Sequence, residues 1–421
     1  MLKEVLTDLL LVAGIAAIAA GRVPGLRMNR AGIACTAATC LVLIGAIPLG
    51  DALASIDMGT IALLLSMMLL VSSIRISGLL DLVAARLSGL AGYPRAFLAA
   101  IVAIAGILSA IFLNDTMCLV LAPVVAETSL RARRDPVPYL VATATAANVG
   151  SAATIIGNPQ NMLIGQRSGV PFVEFASRIG PPSLIGLGVC WLVIVMVFPK
   201  EFRRSKDARS VADDRTAAAA ISSANVMGAV RIDRALVAKS CVAIAAMLAA
   251  FLAGAPVVLA ALASASFMLV SRIKSERLFS GVDFNLLVFF AGLFVITDAV
   301  SRTAAFAWLE RTVLNGASAS PWLFSAATVA VSNLVSNVPA VMILSPLASG
   351  ATDPKAAWLL LAMASTFAGN LTLIGSVANL IVAEGAAGRG ARLGFMDYLK
   401  AGLPITVLTL AIGTAWLSLV G

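Results

Sequence analysis

Long apolar stretches, separated by short charged connections, follow one another along almost the whole chain. Many of them run for about 17–25 residues, which is the length that an α-helix needs to cross a bilayer. No alternation of the kind found in membrane β-barrels, with segments of about ten residues, is visible. The pattern predicts an all-α polytopic membrane protein with apolar segments at 5–21, 31–50, 56–74, 96–127, 137–165, 184–199, 234–253, 256–271, 284–301, 321–348, 356–385 and 401–420.

The composition agrees with this prediction and excludes other classes. Of the 421 residues, 60% are hydrophobic and only 12% are charged, and the mean hydropathy is +0.99. The net charge of +9 arises from Lys and Arg in short connections between apolar segments. Such basic loops set the orientation of a membrane protein and do not form a phosphate-binding face, so we expect no nucleic-acid partner. The absence of histidine excludes histidine metal sites, and the five cysteines contain no CxxC pair. We therefore expect no cofactor other than a coupling ion, Na⁺ or H⁺.

The charges of the connections predict the orientation. The connection at 22–30 carries three arginines, whereas the connection at 50–57 carries two aspartates and no base. Because basic loops remain in the cytoplasm, the first connection is expected inside, and both termini are expected outside. We expect a multi-pass protein of the cell inner (plasma) membrane, in which the segment at 5–20 is a retained helix and no cleaved signal.

One acidic residue, Asp115, lies inside an apolar run. A carboxylate there costs several kcal/mol unless a cation, a proton or backbone N–H groups meet it. The connections before and after this run, at 75–95 and 131–135, each carry three arginines and are expected in the cytoplasm. The run at 96–127 must then enter the membrane and return, which predicts a re-entrant hairpin. Its tip would consist of Asn114, Asp115 and Thr116. A helix cap formed by Asp115, or two short crossings, are the alternatives.

A second interrupted segment follows at 137–165. Three glycines and a proline divide it, which predicts a discontinuous helix. The stretch at 200–233 is rich in Ala, Ser, Asp and basic residues, and it predicts a flexible cytoplasmic linker. This linker would separate a first unit, 1–199, from a second unit, 234–421.

The second unit repeats the first. Asn114 and Pro123 have the same spacing as Asn337 and Pro346, at an offset of 223 residues. One match of this length could arise by chance, so a second match at a similar offset is needed to indicate duplication.

That second match lies between 151–163 and 369–382, where Thr-x-Ile-Gly and a later Asn recur at an offset of 218 residues. Two matches at consistent offsets indicate an internal repeat. The copies would be a hairpin at 321–348 and a discontinuous helix at 356–385. Each unit would have about five transmembrane helices plus a hairpin. Since the first begins outside and ends inside, the second would be inverted, as in transporters with a substrate site at the membrane midplane.

Hairpin tips and helix breaks leave backbone N–H groups and carbonyls free to bind anions and cations. The side chains at these places are neutral amides and hydroxyls, which suit Na⁺ or an oxyanion. Any one of them could instead satisfy nearby backbone, but their recurrence in both units favours a binding site. Asp115 is the proton-coupling candidate, and the tips could hold Na⁺ through Asn114, Asp115, Ser336 and Asn337. The candidate site residues are Asn114, Asp115, Thr116, Asn148, Thr154, Gly157, Asn158, Asn161, Ser336, Asn337, Asn370, Thr372, Gly375, Ser376 and Asn379.

No P-loop, phosphorylation motif or nucleotide fingerprint is apparent, so an ion gradient or the gradient of the substrate would supply the energy. A channel is the alternative, but paired hairpins in inverted repeats favour alternating access. The sequence contains no set of residues suited to nucleophilic or metal-dependent catalysis, and we do not expect the protein to be an enzyme.

At these residues the chain resembles the ion transporter superfamily, which contains arsenite/antimonite permeases, citrate transporters and divalent-anion:sodium symporters. Ser336-Asn337, followed by Pro346, is similar to the Ser-Asn-Thr hairpin signature of the symporters, with Val338 in place of Thr. The resemblance covers nearly the whole chain.

The first unit carries the same resemblance in another form. Leu113-Asn114-Asp115 is similar to the Asn-Asp pairing of arsenite permeases and related bacterial anion permeases. The stretch from Asn148 to Asn161 resembles the Asn-Ile-Gly and Gly-x-Pro-x-Asn break of both groups. The resemblance implies an anion transporter with sodium or proton coupling and with an asparagine at each hairpin tip.

Three hypotheses follow. The first is a secondary active transporter of a small anion or oxyanion, coupled to a proton or sodium gradient and working by alternating access. The second is an arsenite/antimonite efflux permease driven by protons through Asp115. The third is a cation/proton antiporter in which Asp115 exchanges the ion. The expected partners are the anion and the lipid bilayer, and the chain is a possible homodimer.

Overall fold

The computed structural model describes residues 2–21, 25–202, 232–270, 273–309 and 320–420, and within these ranges it is helical without a strand. Most of the expected linker at 200–233 lies outside the described residues. The helices before the linker are α1 (Leu2–Ala20), α2 (Arg30–Leu43), α3 (Leu49–Ser55), α4 (Met58–Ile76), α5 (Leu79–Ser88), α6 (Pro94–Ile111), α7 (Asn114–Arg131), α8 (Val137–Ser151), α9 (Pro159–Arg167), α10 (Phe172–Val197) and α11 (Pro199–Phe202). Those after it are α12 (Arg234–Leu252), α13 (Val257–Leu269), α14 (Ser275–Phe279), α15 (Phe284–Ser301), α16 (Ala304–Leu309), α17 (Pro321–Val335), α18 (Asn337–Gly350), α19 (Pro354–Ala368), α20 (Val377–Ala387) and α21 (Phe395–Val420).

Six of these helices are long and apolar enough to cross a membrane, namely α4, α6, α10, α12, α15 and α21. Shorter apolar helices accompany them, among them both arms of the second hairpin and the second piece of the second broken helix. The prediction of an all-α polytopic membrane protein is confirmed.

Short helices also form where hydropathy alone predicts other structure. The expected segment at 31–50 is two helices, because α2 ends at Leu43 and α3 follows separately. The expected connection at 75–95 contains α5, which has Asp81 in its first turn and Arg86 in its last. These charges stabilise the helix because an acid near its N-terminus and a base near its C-terminus complement the helix dipole. A search for apolar runs does not detect this kind of helix.

The expected segment at 184–199 is too short. α10 begins at Phe172 and continues through Pro181 and Pro182 without interruption. Each proline removes one backbone donor, but a membrane helix tolerates this where neighbouring helices pack around it. Pro182 is buried, and α10 packs along α21. The two prolines therefore lie inside a crossing helix of 26 residues.

The helices of the two units follow the same order and have similar lengths. α8 and α19 have 15 residues each, and α10 and α21 have 26 each. Each unit contains a hairpin: α6 and α7 meet at Phe112–Leu113, and α17 and α18 meet at Ser336. Each also contains a broken helix, α8–α9 with its break at 152–158 and α19–α20 with its break at 369–376. Re-entry into the membrane and the inverted orientation of the units stay predictions.

The units pack against each other through reciprocal pairs, α2 with α15 and α13 with α4, and each hairpin packs on the first piece of its own broken helix. Gly150 of α8 lies directly against the backbone of α6, since a Cβ built there would lie 2.2 Å from the carbonyl oxygen of Gly106. No side chain fits between these two backbones. The first hairpin is thereby held directly beside the first helix break.

Candidate functional site

The tip of the first hairpin is bonded to the first helix break. α7 begins at Asn114, whose backbone N–H donates to the Gly157 carbonyl at 3.0 Å, while its side-chain Nδ2 donates to Asn148 Oδ1 at 3.1 Å. The other side-chain atom, Asn114 Oδ1, is buried without a partner, and so is the Ser109 hydroxyl one turn earlier. Buried polar atoms without a partner are rare and costly. The first tip therefore presents unpaired oxygens to whatever occupies the site.

The second tip has the opposite character. Ser332, the counterpart of Ser109 at the 223-residue offset, donates its hydroxyl to Asn337 Oδ1 at 2.7 Å. Asn337 Nδ2 lies beside Gly369 and makes no hydrogen bond within the described part of the chain. Ser336, at the turn, has a φ of 84° and a ψ of 160°, a conformation that non-glycine residues seldom adopt. The second tip therefore offers an amide donor from a strained turn.

Asn148 of the first broken helix connects the two units. Its Nδ2 donates to Asn370 Oδ1 and to Asn379 Oδ1, both at 2.9 Å, and its Oδ1 accepts from the Ser376 hydroxyl at 3.2 Å. Together with the bond from Asn114, these contacts use both amide hydrogens and the oxygen of one fully buried side chain. The first tip is thus linked to the second helix break.

A second cluster repeats this arrangement with the units exchanged. Thr366 of α19 lies at the 218-residue offset from Asn148, and its hydroxyl accepts from Asn158 Nδ2 and Gln160 Nε2, both at 3.3 Å. The same hydroxyl lies 3.4 Å from Asn161 Oδ1. Each broken helix therefore contacts the break of the other unit. We call the two clusters the amide belt, which consists of Asn114, Asn148, Asn158, Gln160, Asn161, Thr366, Asn370, Ser376 and Asn379.

Two members of the belt also hold the helix breaks in shape. Asn161 Nδ2 donates to the carbonyls of Ser151, Ala152 and Thr154, and Asn379 Nδ2 donates to those of Gly369 and Thr372. Carbonyls at the end of a helix have no partner within it, so these amides replace the missing bonds. This matched role explains why the motif recurs in both units.

The remaining predicted residues lie near the belt without joining it. Thr154 donates its hydroxyl to the Ala110 carbonyl and thereby fixes the first break to α6. Asp115 makes no hydrogen bond within the described part of the chain; Arg30 and Asp283 are the charged groups close enough to interact with it electrostatically. Five other predicted residues are close in sequence to the belt but have no side-chain bond to it: Thr116, Gly157, Ser336, Thr372 and Gly375. Among the described residues, no group of three acidic or cysteine side chains could hold a metal ion, so the ligands available are mainly neutral oxygens and amides.

Sequence reasoning missed Thr366, Gln160 and the pair Ser109–Ser332. The signal was available for three of them, because Thr366 lies at the repeat offset from Asn148 and Ser332 lies at the repeat offset from Ser109. A search for identical residues overlooks Thr366, whose counterpart is an asparagine.

Comparison with known proteins gives a consistent result. A sequence model described as "Citrate transporter" matches residues 14–368. The chain is 31% identical to the 46 kDa membrane protein of Mycobacterium leprae over 93% of this chain and 94% of the relative. It is also 31% identical to the silicon efflux transporter LSI3 of Oryza sativa subsp. japonica, over 93% of both chains. A protein of Dictyostelium discoideum provisionally named transporter arsB is 27% identical over 94% of this chain and 88% of its own length. The chain is a multi-pass membrane transporter, not an enzyme, and it belongs to the citrate transporter family.

Proposed function

We propose that the protein is a secondary active transporter of a small anion or oxyanion, coupled to a proton or sodium gradient and working by alternating access. In this proposal it spans the cell inner membrane with both termini outside, and the two units are inverted relative to each other. The substrate binds between the hairpin tips, against the amide belt.

The observation that carries the proposal is the complementary chemistry of the two tips. The first tip offers oxygens without partners, Asn114 Oδ1 and Ser109 Oγ, with the Asp115 carboxylate on the next residue. The second tip offers the unused Asn337 Nδ2 at the N-terminus of α18, where helix N–H groups favour negative charge. A cation or proton at the first tip and an anion at the second would each meet suitable atoms. Coupled transport requires such a pair of neighbouring sites.

The coupling ion follows from the same atoms. Na⁺ takes oxygen ligands, which the unpaired oxygens of Asn114 and Ser109 supply at the first tip. H⁺ would reside on Asp115, whose carboxylate accepts no hydrogen bond from the residues that the structure describes and which interacts electrostatically with Asp283 and Arg30.

Uptake into proteoliposomes tests the proposal. Purified protein would be reconstituted, and uptake of labelled citrate, succinate, sulfate and phosphate would be measured under an imposed proton or sodium gradient. We expect gradient-driven uptake of at least one anion. Asn148→Ala should reduce it by about 10-fold or more, since it removes several hydrogen bonds of about 1 kcal/mol each.

Asn285→Ala is the matched control, because Asn285 is an exposed asparagine whose side chain bonds, among the described residues, to Asn29 alone. Thr366→Val provides a second belt variant if Asn148→Ala fails to fold. Absence of uptake under either gradient, or full activity in both belt variants, would contradict the proposal.

Arsenite or antimonite efflux is the second candidate. It is favoured because the belt consists of uncharged amides and hydroxyls, which suit a neutral hydroxide as well as an anion. Among the relatives, one is named a silicon efflux transporter and another carries the name arsB. Expression in an arsenite-sensitive host should raise tolerance, and Asp115→Asn should abolish the gain. Cation-dependent proton flux in vesicles without anion would instead indicate an antiporter.

A further inference from the structure

A cavity of about 450 Å³ lies between the end of α9, the second arm of the second hairpin and the outer half of α15. By the proposed orientation it faces the outer solution. Its walls carry one cation and one acid together with hydroxyl and aromatic side chains. The residues that the argument uses are Arg167, Phe294, Thr297, Asp298, Ser345 and Trp358.

Arg167 is the cation with unused donors. Its guanidinium lies 5.6 Å from the centroid of the Phe294 ring, and it makes no ion pair or hydrogen bond within the described part of the chain. An arginine over an aromatic face is held by the ring while its five N–H donors stay available in a planar fork. Arg167 is therefore placed and unpaired, as an oxyanion ligand should be.

Asp298 supplies an acceptor on another wall. Its Oδ2 atom is buried and lies 2.9 Å from Arg302, whereas the side chain as a whole is 28% exposed, so the other oxygen, Oδ1, is the acceptor that a ligand can reach. Arg167 interacts electrostatically with Asp57 and, across the cavity, with Asp298, but it forms an ion pair with neither, because no nitrogen–oxygen distance to them is 4.0 Å or less. The gap leaves room for a molecule that accepts from the arginine and donates to the aspartate.

Two hydroxyls of the cavity, those of Thr297 and Ser345, add acceptors rather than donors. Thr297 donates to the Leu293 carbonyl at 2.8 Å, and Ser345 donates to the Val341 carbonyl at 2.6 Å. Since each hydroxyl has one proton, these side chains present only lone pairs to a ligand. A ligand with O–H groups satisfies these lone pairs, whereas a fully deprotonated anion offers them no hydrogen and meets repulsion from Asp298.

The cavity lies on helices that continue to the amide belt. Arg167 is six residues beyond Asn161 on α9, and Trp358 is eight residues before Thr366 on α19. At a rise of 1.5 Å per residue these separations are about 9 Å and about 12 Å. A molecule in the cavity is thus a few helical turns from the belt.

We infer that this cavity binds a small hydroxylated oxyanion, one that carries both O⁻ and O–H, with Arg167 on the charged oxygen and Asp298 accepting from the hydroxyl. The inference rests on the proposed function, because the cavity would be the first place at which a substrate from the outer solution binds on its way to the amide belt. It also specifies the substrate class. The substrate would be an anion that still carries an O–H group, such as a phosphate monoanion, and not an anion without one, such as sulfate.

Binding of phosphate and sulfate to detergent-purified protein at pH 5.5 tests this, since phosphate retains O–H groups there and sulfate has none. Calorimetry and tryptophan fluorescence are the readouts, and Trp358→Phe identifies the part of the signal that comes from the cavity. We expect phosphate to bind at least about tenfold more tightly than sulfate, which corresponds to about 1.4 kcal/mol. Arg167→Gln should abolish phosphate binding, and Asp298→Asn should remove the preference over sulfate.

Arg389→Gln is the control with the same loss of charge, because Arg389 pairs with Glu127 away from this cavity. Melting curves establish that each variant is folded. Equal affinity for the two anions in the unmodified protein, or unchanged phosphate binding in Arg167→Gln, overturns the inference. If vesicles take up anions while the cavity shows no phosphate response, the cavity assignment fails and the proposed function stands; if no anion is taken up at all, the proposed function fails.

Discussion

The two hairpin tips have the same position in their units but differ in how their polar atoms are satisfied. At the first tip, Leu113 has an ordinary φ of −63° and the Asn114 backbone is bonded to the helix break, yet the side-chain oxygen of Asn114 has no partner. At the second tip, Ser336 has a positive φ, and Asn337 receives a hydrogen bond from Ser332. The first tip has a relaxed backbone and unpaired oxygens. The second has a strained backbone and a satisfied oxygen.

This difference shows how duplication can produce one site from two unequal halves. A tip that is fixed to its break and carries free oxygens suits a small ion that must be held in a defined geometry. A tip that is strained and whose asparagine N–H has no equivalent bond among the described residues suits a part that changes position when the substrate binds. Matched substitutions at corresponding positions test this comparison.

The largest expected effect is on transport. Asp115→Asn should lower gradient-driven uptake by about 100-fold, or about 2.7 kcal/mol, because an amide cannot take up and release the coupling proton. Val338→Thr, at the corresponding position of the second tip, should change uptake by less than about threefold, or under 1 kcal/mol. Proteoliposome uptake of the best-transported anion measures both. If the Asp115→Asn variant retains full proton dependence, the assignment of Asp115 as the proton-coupling residue is wrong.

A large effect on stability is expected at the helix breaks. A Cβ at Gly157 would lie 2.2 Å from the Ser151 carbonyl oxygen, whereas the contacts of one at Gly375 are longer, 3.0 Å to Asn333 Oδ1 and 3.2 Å to the nearest carbonyl oxygens. Gly157→Ala should therefore destabilise the protein by about 3 kcal/mol and Gly375→Ala by under about 1 kcal/mol. Thermal melting of both purified variants gives the comparison. Equal melting temperatures would show that the first break is no more tightly fixed than the second.

Strain at the second tip predicts a stabilising substitution. Ser336→Gly should raise the free energy of unfolding by about 1 kcal/mol, because glycine adopts the observed φ of 84° without a steric penalty. Ser336→Ala is the control, since it removes the hydroxyl and keeps the strain. If both variants melt at the same temperature, the turn is not strained. Stabilisation accompanied by slower transport would indicate that the strain serves movement of the tip.

The smallest effect concerns the two serines one turn from the tips. Ser332→Ala removes the hydrogen bond to Asn337 and should cost about 1 kcal/mol, whereas Ser109→Ala removes an unpaired hydroxyl and should be close to neutral. Melting in sodium-free buffer measures this difference. Added sodium should stabilise the unmodified protein more than Ser109→Ala if that hydroxyl binds the ion; equal stabilisation would place the ion elsewhere.

The repeat in the sequence was sufficient to predict where the helices are interrupted. Asn161 and Asn379 recur because each replaces the missing bonds of a broken helix, and that local requirement leaves a local pattern. The reciprocal contacts of Asn148 and Thr366 were not predictable, because they join residues of different units through different chemical groups. The predicted start of α10, at residue 184, was wrong. The residues before it include Glu174, Pro181 and Pro182, and such residues are typical of a loop when the packing around them is unknown.

Side-chain direction set a further limit. Asn114 and Asp115 are adjacent in the motif and were expected to act together, but residues that follow each other on a helix point about 100° apart. Asn114 therefore joins the amide belt, whereas Asp115 faces Arg30 and Asp283 instead. The sequence identified both residues as candidates and could not show that they belong to different surroundings.

The double donation by Asn148 also has a consequence for how the chain is assembled on the ribosome. Its two acceptors follow it by 222 and 231 residues, so neither exists when α8 leaves the exit tunnel. At synthesis rates of about 5–20 residues per second, the amide waits for about 10–50 s. During that interval the nascent first unit must keep Asn148 in water or in the insertion machinery, because bare lipid offers it no partner. The hydrogen bonds from Asn148 to Asn370 and Asn379 can therefore form only after the second helix break has been synthesised, when the two units pack together.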